Sequence, residues 1–109
     1  MNKYGARKTE VDGIVFDSKH EADRYAELKM MQKYGIISDL QLQVPFELIP
    51  AQKRRGKTIR ECKYVADFVY FDKEMEETVV EDAKGMKTEV YKLKKKLMLW
   101  EYGIEIKEV

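Results

Sequence analysis

A chain of 109 residues has room for one domain around a modest core. Its 21 basic and 20 acidic residues leave a net charge of +1, which excludes a uniformly cationic surface, so a polyanionic partner has to be met by a local concentration of positive charge. The single cysteine, Cys62, excludes an internal disulfide, no apolar run approaches the ~18 residues of a membrane span, and the first ten residues are too polar for a signal peptide; together these point to a cytoplasmic protein with no membrane partner.

In chain order, residues 1–10 are polar and basic and read as a mobile arm, with Lys3, Arg7 and Lys8 available to a phosphate backbone. Asp12-Gly13 is a turn signal ahead of a short strand, Ile14-Val15-Phe16. Ser18-x-x-Glu21 matches a capping box and opens a helix to about Tyr34, stopped by Gly35. Glu21 is thus first a cap residue, the favoured reading, and secondly a candidate metal ligand. Leu40, Leu42 and Val44 alternate with Gln41 and Gln43 as a half-buried strand that Pro45 bends.

The next run, 52–60, carries Lys53, Arg54, Arg55, Lys57 and Arg60 around Gly56 and reads as an exposed basic loop suited to tracking phosphates. The plainer alternative is a solvated hairpin tip. Cys62 to Asp72 and Thr78 to Lys84 are rich in β-branched and aromatic residues and predict two strands joined by a polar turn. Thr88 caps a second helix reaching to about Tyr102, ended by Gly103, with Val90, Leu93, Leu97 and Trp100 as its core-facing stripe. Of its lysines, Lys92 and Lys95 share a side and are candidates for contact with nucleic acid. Ile104 to Val109 alternates as an edge strand. These elements predict an α/β domain in which a small mixed β-sheet is flanked by two helices.

The chemistry concentrates in the two central strands. Asp67 interrupts the apolar run Val65 to Val69, and Asp82 and Lys84 follow Val79-Val80. A carboxylate within an apolar strand is costly unless it is paired or holds a cation. Side chains two apart share a strand face, so Asp82 and Lys84 point one way, and pairing that brings Asp67 alongside makes a patch of two carboxylates and an ammonium. Such a patch suits a hard divalent cation with a lysine left over; a structural ion pair of Asp67 or Asp82 with Lys84 explains it as well.

The acid-x-Lys pattern is weak alone, because it recurs at Asp17, Glu27, Glu61 and Glu105. Only Asp82-Ala83-Lys84 also has a β-branched run before it, a glycine after it and an acid inside the preceding strand. In that setting the order Glu21 on a first helix, Asp67 in a strand, Asp82-x-Lys84 at the end of the next, then a helix from Thr88, resembles the PD-(D/E)XK nuclease superfamily with its restriction-endonuclease-like core. The stretch from Val65 to Gly85 is similar to the core of phage junction-resolving and transposase-end nucleases. The run from Val11 to Leu48, with the later EVYKLKKKLM, is similar to a small phage and prophage family catalogued as a domain of unknown function. Ala66 replaces the proline that names the motif, and Asp82 stands where glutamate is commoner.

The resemblance implies that Asp67, Asp82 and the Ala83 carbonyl hold Mg²⁺ or Mn²⁺, that Glu21 holds or positions a second ion, and that Lys84 orients the attacking water. It implies a homodimeric endodeoxyribonuclease acting on DNA, branched or junction forms included, in phage replication, recombination or packaging inside a bacterial host. A non-catalytic nucleic-acid-binding or accessory protein on the same fold is the alternative, and a phage structural protein a third.

Overall fold

The computed structural model describes residues 8–83 and 87–109. It opens on an antiparallel hairpin, β1 (Thr9–Val11) and β2 (Ile14–Phe16), turned by Asp12 and Gly13 at φ 54° and 77°. Two positive φ values make the mirror-image turn whose twist matches that of the strands. Thr9 and Glu10, expected in the arm, therefore belong to a strand, because Thr9 pairs with Phe16, whose ring is buried against Tyr25. Residues 1–7, with Lys3 and Arg7, lie outside the described residues.

Helix α1 (Lys19–Lys33) starts where the Ser18 hydroxyl accepts the Glu21 N–H at 3.1 Å, and Gly35 follows it at φ 76°. Its buried side is Glu21, Ala22, Tyr25 and Leu28, while the apolar Ala26 and Met30 are exposed. Then come β3 (Ile37–Ile49), the hairpin β4 (Gln52–Arg54) and β5 (Lys57–Ile59), β6 (Cys62–Asp72), β7 (Glu77–Asp82), α2 (Glu89–Tyr102) and β8 (Lys107–Glu108). The main sheet has the order β3-β6-β7-β8; β6 is antiparallel to both neighbours and β8 is parallel to β7. Helix α2 provides the long crossover that a parallel pair requires. The expected mixed sheet with two helices is what the chain forms, and among the described residues no helix is long and apolar enough to cross a membrane.

Two cores lie against this sheet. Phe16, Tyr25, Leu28, Ile37, Phe68 and Tyr70 pack with α1; Leu48, Tyr64, Ala66, Val80, Tyr91 and Met98 pack with α2. Val79 joins the first and Val80 the second, so the helices flank opposite faces. Of the expected inward stripe of α2, Leu97 packs against the core, but Val90, Leu93 and Trp100 are 62%, 58% and 83% exposed, and the helix buries Tyr91 and Met98 in their place. Those two residues are seven apart and so fall on one side. Lys94 and Lys95 are only half-buried beside them, their alkyl stems covering part of that core.

Besides the register shifts near the two ends of β3, at Ser38–Gln41 and Glu47–Ile49, period-two alternation breaks in the middle of the β3–β6 pair. On β6, Phe68 and Tyr70 belong to the α1 core, yet Ala66 and Tyr64 belong to the α2 core; on β3, Leu40 and Leu42 go with α1, yet Val44, Phe46 and Leu48 go with α2. Both switches occur at Gln43 and Asp67, which the flanking pairs Leu42–Phe68 and Val44–Ala66 put opposite each other. Gln43 sits there at φ 52°, in the left-handed region, mid-strand. One residue of that sign reverses the face taken by the side chains beyond it, and irregularities of this kind re-aim side chains beside functional sites.

Candidate metal and nucleic-acid site

The kink matters because of where Asp67 ends up. Strand β7 pairs with β6 from Phe68 to Asp72 only, so β7 leaves β6 just beyond the Phe68–Glu81 pair. Extending that register by one step would set Asp67 opposite Asp82, a pair that the ladder itself stops short of. There the Asp67 Oδ2 accepts the backbone N–H of Ala83 at 2.7 Å, closing the fork. Its Oδ1 takes the Gln43 Nε2 at 3.4 Å, and the same Nε2 lies 3.3 Å from Glu21 Oε1. Asp67, the Ala83 backbone and Glu21 are thus assembled from β6, β7 and α1, with the Gln43 amide between the two carboxylates.

Asp82 is 1% exposed and its Oδ2 accepts the Tyr64 hydroxyl at 2.6 Å. Burial, then donation to Asp82, pushes the Tyr64 phenol above its ordinary value, and the Asp67 charge adds to the effect. Tyr91 is raised in the same way by burial, by its hydrogen bond to Glu108, and by the charges of Asp82 and Asp67. Both aspartates therefore act on the same pair of tyrosines. Lys84, expected beside them, lies outside the described residues.

Two shallow clefts open around this group. One of about 290 Å³ is lined by Asp17, Glu21, Leu42 and Gln43; another of about 350 Å³ is lined by Lys63, Tyr64, Thr88, Val90 and Lys94. The second places two cations beside the tyrosine that holds Asp82. The two lysines singled out on α2 are paired, Lys92 with Glu89 and Lys95 with Glu108, both at 3.2 Å, and it is Lys94, not one of them, that lines this cleft. Lys53, Arg54, Arg55, Lys57 and Arg60 are exposed on and beside the β4–β5 hairpin. The hairpin continues from the ends of β3 and β6, where Cys62 is five residues, or about 17 Å, from Asp67.

Sequence reasoning missed Gln43, Lys63 and Lys94. It also missed a buried network on the opposite face of β7. Glu81 is wholly buried and receives Arg24 in bidentate fashion, Nε to Oε1 at 2.8 Å and one terminal nitrogen to Oε2 at 2.7 Å, together with the Tyr70 hydroxyl. The hydrogen bond to Glu81 raises the Arg24 pKa, and burial followed by donation to Glu81 raises that of Tyr70. Arg24 lies one turn after Glu21 on α1, and Glu81 directly precedes Asp82 on β7. The pair therefore ties the helix of one site carboxylate to the strand of another. Adjacent acids, Glu81 and Asp82, after Val79-Val80 gave a signal for it, but its partner is 57 residues away.

The carboxylates of Asp67, Asp82 and Glu21 are hard oxygen donors of the kind that Mg²⁺ or Mn²⁺ takes, but among the described residues no three His, Cys, Asp or Glu side chains gather closely enough to hold an ion. A profile describing a family as a protein of unknown function, DUF1064, matches residues 1–108. No curated protein and no solved structure matches the chain.

Proposed function

We propose that this chain, which belongs to the DUF1064 family, is a divalent-metal-dependent endodeoxyribonuclease with a restriction-endonuclease-like core. The observation that carries the reading is the fork itself: Asp67 bound to the Ala83 N–H where β7 leaves β6, Asp82 buried one register step away, and Glu21 brought in through Gln43. Keeping three acids beside an apolar core is costly unless a cation or a built set of donors compensates. The element order, α1, then β3 and the β4–β5 hairpin, then the antiparallel pair β6–β7 and helix α2, is compatible with the resemblance seen in the sequence.

When bound, Mg²⁺ or Mn²⁺ would supply a water usable at neutral pH and would neutralise charge at the phosphate. Asp67, Asp82 and the Ala83 carbonyl would hold that cation, and Glu21 would hold or position a second. Asp67 is oriented for the task by its bond to Ala83, and Asp82 by Tyr64. Lys84 takes the role of orienting the attacking water, and Lys63 and Lys94 that of receiving the phosphodiester at the cleft mouth. A single small domain presents one such site, so cutting two strands or a branch calls for a homodimer. Branched or junction DNA in phage replication, recombination or packaging, in the cytoplasm of a bacterial host, is the substrate and setting that fit.

A second reading has an observation in its favour. Among the described residues no three His, Cys, Asp or Glu side chains gather closely enough to hold a metal ion, which suits a DNA-binding accessory protein that keeps the fold without cutting. Incubation with Mn²⁺ and a panel of linear, single-stranded, flapped and four-way DNA, beside an Asp82→Ala control, separates the two. The nuclease reading expects at least one DNA form to be cut by the unaltered chain and none by the control. Binding without cutting on every form leaves the accessory role.

A further inference from the structure

We infer that the β4–β5 hairpin is a groove probe for duplex DNA, an inference that rests on the nuclease reading for its choice of substrate and extends it. The chain contains its own control. The β1–β2 and β4–β5 hairpins share one turn geometry, with φ of 54° and 77° at Asp12 and Gly13 and of 51° and 76° at Arg55 and Gly56. The first uses the Asp-Gly pair that such a turn favours, and Val11 faces Ile14 across the strands beside it. The second puts an arginine at the left-handed position and sets Arg54 directly opposite Lys57.

Both choices work against the hairpin's own folding, since like charges opposite one another repel and a bulky residue at positive φ is strained. Local rules broken twice in one small element mark a working surface rather than a solvated tip. Residues 52–60 hold five cations and no acid, and every residue of β4 and β5 is exposed.

The shape and composition select the polyanion. A two-stranded ribbon fits the major groove of a duplex. Single strands are held by stacking on aromatic rings, and residues 50–61 contain none. A membrane-inserting tip would carry apolar side chains, whereas this one reads Arg54-Arg55-Gly56-Lys57. Gly56 is six residues before Cys62, so the tip stands at most about 37 Å from Asp67, or about 11 base pairs along a duplex. The probe therefore engages the same turn of DNA as the site.

The test is the double variant Arg54→Thr/Arg55→Asn, which relieves both unfavourable features, with binding measured in EDTA so that cleavage plays no part. The expected result is a higher Tm than the unaltered chain, about 10-fold weaker binding to a 24-base-pair duplex at 100 mM salt, and a slope of log K against log salt reduced by about 2. Binding of the same sequence as a single strand is expected to change less than about threefold. The inference is overturned if Tm does not rise, if duplex affinity holds within about twofold, or if the loss is as large on single strands or on phosphatidylserine vesicles. Loss of Mn²⁺-dependent cutting is a separate readout: its absence in the unaltered chain would remove the nuclease reading and leave this duplex-binding result standing on its own.

Discussion

Asp82 is almost out of solvent and accepts the Tyr64 hydroxyl there, and that bond sets what substitution of Tyr64 does. Tyr64→Phe removes the donor and leaves a buried carboxylate short of a partner, a loss of about 2 kcal/mol, or roughly 10 °C in Tm, measurable by thermal melting. A loss under about 0.5 kcal/mol would show that Asp82 draws its support elsewhere. The same tyrosines govern the alkaline limit. Tyr64, Tyr70 and Tyr91 lose their protons less readily in the folded chain than the ordinary 10.0, first because they are buried and then because each donates to a carboxylate. Their contribution is complete below pH 10 and is lost as pH rises beyond it, since the unfolded chain releases those protons first. Urea unfolding between pH 10 and 11 is expected to show stability falling, and Tyr64→Phe to lower that slope by about 1.4 kcal/mol per pH unit.

Asp67 and Asp82 were legible as carboxylates out of place in apolar strands. Gln43 was not: its neighbours alternate as an ordinary strand, and its left-handed φ arises only when β3 and β6 pair.

At the scale of elements, both helices were marked at their ends by short-range chemistry, Ser18 with Gly35 and Thr88 with Gly103, and the structure uses those caps. Which side of α2 turns inward was not legible. Val90, Leu93, Leu97 and Trp100 recur at helical spacing as convincingly as a buried stripe would, and only the sheet decides that Tyr91 and Met98 enter the core. The tie between α1 and β7 was invisible for a related reason, because a pair 57 residues apart leaves no periodic trace.

That tie makes a prediction of its own. Arg24→Met alone strands Glu81 in the core and is expected to cost about 3–5 kcal/mol in urea unfolding. Arg24→Met/Glu81→Leu/Tyr70→Phe, which replaces the whole network with apolar groups, is expected to regain most of that loss. Equal stability for single and triple variants would show that burial of Glu81 is not what the arginine compensates.

At the scale of the molecule, the parts of the proposed site are shared among the sheet, the helices and the hairpin. The helix-flanked sheet supplies the acids at the fork, the clefts on either side carry Glu21 or the lysines, and the β3–β6 ribbon ends in the basic hairpin. With charge nearly balanced overall, binding to a polyanion depends on that local arrangement and is expected to weaken steeply with salt. Light scattering in solution is expected to give the mass of two chains; a single-chain mass at all concentrations would remove the paired-site reading for branched DNA. The most direct test of the central claim is a Mn²⁺ titration followed by electron paramagnetic resonance, comparing the unaltered chain with Asp67→Asn and Asp82→Asn, each checked for an intact fold. The account predicts that the unaltered chain takes up Mn²⁺ and that either substitution weakens uptake at least 10-fold. No uptake by the unaltered chain, or uptake that neither substitution changes, would contradict it.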